Sequence, residues 1–270
     1  MNSISIKFKA VGDSADLLIA QLDQIGYEGF WEEGADMTAY ILEKDFDEAA
    51  LQEIIAPTGI LYEKATIEPT NWNAVWESNF DPVIVDDFCG IRAHFHEPLT
   101  GVEQEIVITP KMSFGTGHHA TTSSMIRLMR NLAFEGKQVF DFGTGTGILA
   151  ILADKLGAAQ VDAIDIDEWS IENTIENVSE NKANNVKAWQ ADSLTGIEQA
   201  YDIILANINR HILVQFMPEM KRLLKKGGIL LLSGILVEDE TIILAAAGEQ
   251  GLQFENKVVK DNWLAMQFVA

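Results

Sequence analysis

The sequence predicts an α/β protein. Its main body is a mostly parallel sheet with one antiparallel strand near the C-terminus, and a small α+β unit precedes it. Three observations predict this. From about residue 118, strand-like runs alternate with stretches of helical spacing, the pattern of a parallel sheet wound by helical crossovers. Glycines at 143, 145 and 147 follow the first of those strands in "FDFGTGTGI", at the strand end where such sheets hold ligands. Little more than "DN" separates the last two strand-like runs. A connection that short can only be a hairpin, so the final strand is reversed, and the expectation is that it closes the sheet at its end.

Residues 1–68 read as a separate unit. "SISIKFK" alternates apolar and polar residues, as a half-buried strand does. "DSADLLIAQLDQIG" has apolar residues at helical spacing, Asp13 or Ser14 as N-cap and Gly26 at its stop. "YEGFWEEG" and "MTAYILEK" are short strands around a hairpin signal at 34–36. "DFDEAALQEIIAP" is a second helix ended by Pro57, and "LYEKATIEP" is a last strand. The order βαββαβ is the split-βαβ, ferredoxin-like pattern, which hosts many functions and so fixes none.

Residues 69–80 read as a helical connector, with Trp72 and Trp76 expected four apart on one face, where they would pack. The second domain covers 81–270. "VIVDDFCGIRAHFHE" and "EQEIVITP" read as strands. After them come helix "HHATTSSMIRLMRNL", strand "KQVFDF", helix "GILAILADKLG", strand "AQVDAIDID" and helix "EWSIENTIENVSENKA". Strands "VKAWQAD" and "YDIILANI", helix "ILVQFMPEMKRLLKKG" and strand "GILLLSGI" follow. Helix "VEDETIILAAAGEQG" and the hairpin strands "LQFENKVVK" and "WLAMQFVA" finish the chain.

The 270 residues carry a formal net charge of −22. Phosphate backbones need a basic surface, so direct nucleic-acid binding is not expected, whereas a basic protein partner is suited. Cys89 is the one cysteine, which excludes an internal disulfide and a cysteine zinc site. No apolar run approaches the ~18 residues a membrane span needs, and the N-terminus has no secretory pattern. The expectation is a cytoplasmic monomer.

Glycines 143, 145 and 147 let the backbone approach a ligand closely. The dinucleotide fingerprint would place its third glycine where Ile148 stands, which argues against a nicotinamide cofactor. Asp165 lies 22 residues after Gly143, in "AIDID", where an acid accepts from both hydroxyls of a ribose. Asp192, in "WQADSL", can accept from an exocyclic amine or simply face solvent. Asn207 ends "YDIILAN" and can both donate and accept, so it can orient an amine. His119 is a candidate proton acceptor with His118 second; the plainer reading of His119 is a helix-start residue packed over the cofactor. His94 and His96 alternate on one strand face, but nothing gathers four ligands, so no metal is expected.

These features resemble class I S-adenosylmethionine-dependent methyltransferases with their Rossmann-like sheet. "NWNAVWESNFDPVIV", "ITPKMSFGTGHHATT", "VFDFGTGTGILAILADKLGA", "AIDIDEWSIENTIENV", "YDIILANI" and "GGILLLSGIL" are similar, in this order, to motifs of the PrmA family. Those bacterial enzymes methylate large-subunit ribosomal protein number 11. The likeness runs from about residue 70 to the C-terminus. It implies S-adenosylmethionine as donor, a substrate-recognising N-terminal domain, and trimethylation of lysine ε-amines and the α-amine. It also implies cofactor contacts at Thr122, Gly143, Asp165 and Asn207. Thr144 and Thr146 stand where the family's G-C-G-S-G has cysteine and serine, with the glycines, Gly145 included, kept. "INRHI" after Asn207 is more polar than usual in the family. The earlier glycine loop, "SFGTGHHATT", then reads as a wall over the methionine end of the cofactor, with Thr122 reaching it by hydroxyl.

Three other readings use the same residues. A nicotinamide-dependent oxidoreductase lacks its fingerprint at Ile148. A nucleic-acid base methyltransferase commonly sets an aromatic residue beside its asparagine, whereas Ile208 and Asn209 follow here. A ribosome assembly factor with a retained cofactor fold predicts no methyl transfer at all.

Overall fold

A computed structural model of the chain describes residues 2–9, 13–34, 36–67, 80–110 and 117–270. The chain divides into two compact units, Met1–Asn79 and Phe80–Ala270. Apart from Phe80, the expected connector with Trp72 and Trp76 lies outside the described residues, as does 113–116 of the earlier glycine loop.

The first unit runs β1 (Ser3–Lys9), α1 (Asp13–Asp23), β2 (Gly29–Glu33), β3 (Asp36–Leu42), α2 (Glu48–Ile55) and β4 (Tyr62–Ile67). Its four strands lie in the order β2-β3-β1-β4, and every neighbouring pair is antiparallel. Alternation decides the buried face: Ile4, Ile6 and Phe8 of β1 and Met37, Ala39 and Ile41 of β3 meet Leu18, Leu22, Leu51 and Ile55 of the helices. Asp47 caps α2, its carboxylate accepting from the Ala49 N–H at 2.8 Å. The side chains of Asp13 and Ser14, the expected caps of α1, lie outside the described residues.

The second unit opens with β5 (Val83–Val85), β6 (Cys89–Ala93) and β7 (Gln104–Ile108), a three-stranded sheet in that order. Then come α3 (Ala120–Met129), β8 (Gln138–Phe142), α4 (Ile148–Lys155), β9 (Gln160–Asp165), α5 (Glu168–Glu180) and β10 (Val186–Gln190). The unit ends with β11 (Tyr201–Asn207), α6 (Arg210–Leu223), β12 (Leu224–Leu236), α7 (Glu240–Glu249), β13 (Gln253–Lys260) and β14 (Trp263–Val269). The main sheet has seven strands in the order β10-β9-β8-β11-β12-β14-β13. β8 through β12 are mutually parallel, and β14 is antiparallel to both neighbours.

That order corrects one expectation. The reversed strand is not at the end of the sheet; it is inserted between β12 and β13. The two hairpin strands differ in character. β14 (WLAMQFV) is buried along most of its length, whereas β13 (QFENKVVK) is exposed. The apolar strand gains more by facing both layers, and the polar, lysine-bearing one makes a safer edge.

Period-two alternation also sorts the layers. Val139 faces α3 and α4, while Phe140 and Phe142 face α6 and α7. The strand order reverses between β8 and β11, so the crevice for a ligand opens at the C-terminal ends of β8, β9 and β11. His94 and His96 are placed differently from the expectation. β6 ends at Ala93, and a turn follows in which the Ala93 N–H donates to His96 Nδ1 at 3.2 Å. The His96 N–H in turn donates to the Ala93 carbonyl, so the two histidines do not share a strand face.

Candidate functional site

The loop after β8 depends on glycine. Gly143, Gly145 and Gly147 sit at φ of +77°, +58° and +82°, a region that side chains with a Cβ rarely adopt. Space adds to the restriction. A Cβ on Gly143 would drive into the Ile208 side chain, and one on Gly147 would stand 2.9 Å from Thr174 Cγ2. The Gly143 and Thr144 N–H groups both donate to the Ile164 carbonyl of β9 at 2.9 Å, pinning the loop to the neighbouring strand.

Asp141 lies under this loop, 1% exposed on the α4 side of β8. Thr144 Oγ1 donates to its Oδ2 at 2.7 Å. Its Oδ1 has no hydrogen-bond partner among the described residues. Burial pushes its pKa up to about 7; the Thr144 hydrogen bond opposes this, and the Asp165 charge adds to it. A buried acid that the Thr144 hydroxyl and the Ala150 backbone N–H both favour as a carboxylate, beneath a loop whose empty Cβ positions form a cradle, fits a ligand that carries a cationic group.

Asp165 ends β9, and its carboxylate is already half engaged. Oδ2 accepts from the Gly145 N–H at 2.9 Å and Oδ1 from the Asp167 N–H at 3.1 Å. Each oxygen keeps a lone pair for a hydroxyl. Ile166, next in the chain, is 69% exposed, an apolar surface beside the acid that suits a flat ring. Asp192 is exposed two residues beyond β10, and the preceding residue, Ala191, donates its N–H to the Asp165 carbonyl at 2.9 Å.

Asn207 ends β11, half-buried and in register with Ser233 of β12. Glycines fix the path of the chain beyond it. The Ile208 N–H donates to the Ser233 carbonyl at 3.2 Å. Any Cβ on Gly234 would collide with the Ile208 carbonyl. Ile208 is thus seated between Gly143 and Gly234, which brings Asn207 beside the glycine loop.

Thr122 is 4% exposed in the first turn of α3, a helix packed on β12, β14 and α4. His119 is the N-cap of that helix. Its Nδ1 accepts from the Thr121 N–H at 3.4 Å and lies 2.8 Å from Thr121 Oγ1. Its ring meets Trp263 edge-on with centroids 4.6 Å apart. His118 goes elsewhere, its Nε2 at 2.9 Å from the Asp81 carbonyl and its ring against Phe80. Among the described residues, no group of three His, Cys, Asp or Glu side chains is placed to hold a metal ion.

The family model described as Ribosomal protein L11 methyltransferase (PrmA) matches residues 3–270. The chain belongs to this family. As a PrmA-family member it is a methyltransferase with S-adenosylmethionine as methyl donor. The Ribosomal protein L11 methyltransferase of Phocaeicola vulgatus is 40% identical over 262 residues, 94% of this chain and 93% of the relative. That of Porphyromonas gingivalis is 42% identical over 260 residues, 94% of this chain and 90% of the relative. A crystal structure of a ribosomal protein L11 methylase from Lactobacillus delbrueckii subsp. bulgaricus superposes with a TM-score of 0.65 at 27% identity. It covers 70% of this chain and 98% of the solved one.

Three site features escaped the sequence reading. Asp141 stood in the quoted "VFDF", where an acid inside an apolar strand was the signal. Ile166 was legible only as half of "DID" until its exposure was known. The polar buried face of α5 gave no signal by hydrophobic spacing, because its inward residues are asparagine and threonine.

Proposed function

We propose that the chain methylates large-subunit ribosomal protein number 11, at lysine ε-amines and the α-amine, up to trimethylation. One observation carries this reading most: the family match covers the N-terminal unit as well as the sheet, and a generic methyltransferase needs only the sheet. In this proposal residues 1–68 are a ferredoxin-like recognition domain, 69–80 the connector and 81–270 the catalytic domain. The enzyme acts as a cytoplasmic monomer, and its −22 charge steers a basic protein substrate toward it.

S-adenosylmethionine supplies a methyl group already activated on a sulfonium, so the protein's task is orientation in a dry, polar-lined crevice. Gly143 and Gly145 would give the cofactor room, and Asp141 would be the acid available to its ammonium group. Asp165 would hold the ribose hydroxyls, Ile166 would offer an apolar face to the adenine, and Asp192 would accept from its exocyclic amine. Thr122 closes the methionine end. The attacking amine must be neutral, although free lysine has a pKa near ~10.4. Leaving water for the crevice lowers that value. Asn207 orients the amine lone pair through a carbonyl and is not a base. His119 caps α3 through Nδ1 and walls the cofactor end of the crevice; it is also the residue placed to be tested as acceptor of the amine's proton, which otherwise leaves to solvent.

The test is a transfer assay with labelled methyl donor and three substrates: the free ribosomal protein, whole ribosomes and naked RNA. Label on the free protein is expected, with mass spectrometry counting methyls on each amine. Label on RNA alone would sink the proposal.

A further inference from the structure

Helix α5 buries residues that a core helix ordinarily avoids. Its buried side chains are Ser170, Ile171, Asn173, Thr174 and Asn177, and just one of these is aliphatic. Asparagine is a weak helix former, and a carboxamide buried without partners is costly. Here the partners exist, and they lie on two different elements.

One set is the glycine loop. Thr174 Oγ1 donates to the Gly145 carbonyl at 2.8 Å. Asn177 Nδ2 donates to the Thr146 carbonyl and to Asn173 Oδ1, both at 2.8 Å. The other set is β7, the edge strand of the small sheet. Asn177 Oδ1 accepts from the Thr109 N–H at 2.8 Å. Asn181, just past the helix, accepts from the Val107 N–H at 2.9 Å and donates to the Val107 carbonyl at 2.6 Å. It thereby takes the place of the missing neighbour strand. Residues 173, 177 and 181 are four apart, so they line one face of α5.

We infer that Asn173, Asn177 and Asn181, with Thr174, are the positioning residues of the cofactor loop, a ladder that fixes the loop's carbonyls and ties them to the edge of β7. The loop needs such a restraint. Glycine adopts either hand of backbone conformation with little preference, so a glycine-rich turn does not choose its own peptide orientations. Hydrogen bonds from α5 hold the Gly145 and Thr146 carbonyls on the helix side. A peptide flip there would turn a carbonyl oxygen toward the ligand and remove a donor N–H. Through Asn177 the same anchor reaches Thr109, on the segment that leads towards α3 and Thr122.

This inference rests on the glycine loop being the cofactor site, and the experiment separates the two. Cofactor affinity is measured by calorimetry on the full chain, with kcat and both KM values, for Gly143→Asp, Thr174→Val, Thr174→Ser and Asn177→Asp. Gly143→Asp tests the site: affinity at the wild-type level there would refute the site reading, whatever the ladder does. Thr174→Val keeps shape but loses one neutral hydrogen bond, so affinity for S-adenosylmethionine should fall about fivefold, and Thr174→Ser should restore it. Asn177→Asp keeps the acceptor for Thr109 but turns a carboxylate on the Thr146 carbonyl, and should cost at least about tenfold. KM for the protein substrate should stay put in these variants. If Gly143→Asp abolishes binding while Thr174→Val binds as wild type, the ladder is overturned. A parallel rise of both KM values would overturn it too. Should Asn177→Asp fail to fold, the Thr174 pair decides alone. Hydrogen exchange tests the tie to β7: S-adenosylhomocysteine should slow the Val107 and Thr109 amides in wild type but not in Asn177→Asp; failing that, Asn181→Leu should lose the slowing at Val107 and keep it at Thr109, whose amide donates to Asn177. Slowing at Val107 in wild type and variant alike would refute the tie.

Discussion

Asp141→Asn should make the protein more stable at neutral and higher pH while weakening its hold on the cofactor. The buried carboxyl of Asp141 is pushed from 3.8 to about 7. Because the folded value lies above the unfolded one, the folded state holds this proton more tightly. Below about pH 4 the group is protonated in both states and costs nothing. As pH rises towards 7 the unfolded chain loses the proton first, so folding stability drains away, and the loss is complete above 7. Each tenfold change in proton affinity is worth about 1.4 kcal/mol, so the displacement puts the whole loss near ~4 kcal/mol as a ceiling. Asparagine keeps an oxygen for Thr144 but has nothing to ionise. Urea unfolding of both proteins from pH 4 to 8 isolates the effect, since all other carboxylates cancel in the difference. The variant should gain steadily across that window, by up to ~4 kcal/mol, and its affinity for S-adenosylmethionine should fall. A difference that stays flat with pH would refute the assignment of a raised, buried acid.

Gly143→Ala places a Cβ at φ +77° against Ile208; we expect a stability loss of about 1–2 kcal/mol from the backbone alone and a cofactor affinity down at least about tenfold, read by calorimetry. Asn207→Ala should lower kcat at least about tenfold and cofactor affinity by a smaller factor, the split expected of a group that acts on the incoming amine as well as touching the cofactor. His119→Ala should cost ~1 kcal/mol as a lost N-cap, and His119→Asn should recover both stability and rate; a rate lost equally in both would make the ring a proton acceptor after all. Association with the ribosomal protein should slow steeply between low and high salt, because charge steering is screened beyond about 10 Å at ~0.1 M; a salt-independent rate in stopped flow would discard the steering argument.

Much of the fold was legible because apolar spacing carries it. The strands from Gln138 to Val269 and the helices between them stand within a few residues of their sequence-read positions, since most of them bury a run that alternates or recurs at helical period. The reversed strand was legible from its two-residue turn, but its place in the sheet was not. Neighbour choice depends on comparing burial across β13 and β14, and spacing within one strand does not report that. In the candidate site, the positions of Gly143 and Asp165 at strand ends were legible because turn geometry and strand-end chemistry limit which residues can stand there. Asp141 and Asn177 were not. Their importance comes from what surrounds them in space, and an acid or an amide in a sequence looks the same whether water or a strand lies beside it. His94 and His96 show the opposite failure: alternation suggested a strand, but the His96 ring folds back to accept from Ala93 and ends it.

The insertion of β14 between β12 and β13 also sets an order of assembly. β13 emerges from synthesis before the strand it must lie beside, so it cannot dock when it appears. Until β14 arrives, β12 presents an open edge carrying Leu230 and Leu232, residues that are fully covered in the finished protein. Without β14 the parallel part of the main sheet would be five strands ending at β12, an unpaired edge of the kind that recruits other chains. Loss of the segment from Trp263 onward would not trim the sheet by one strand; it would remove the partner of β13 as well and leave the edge of β12 unpaired.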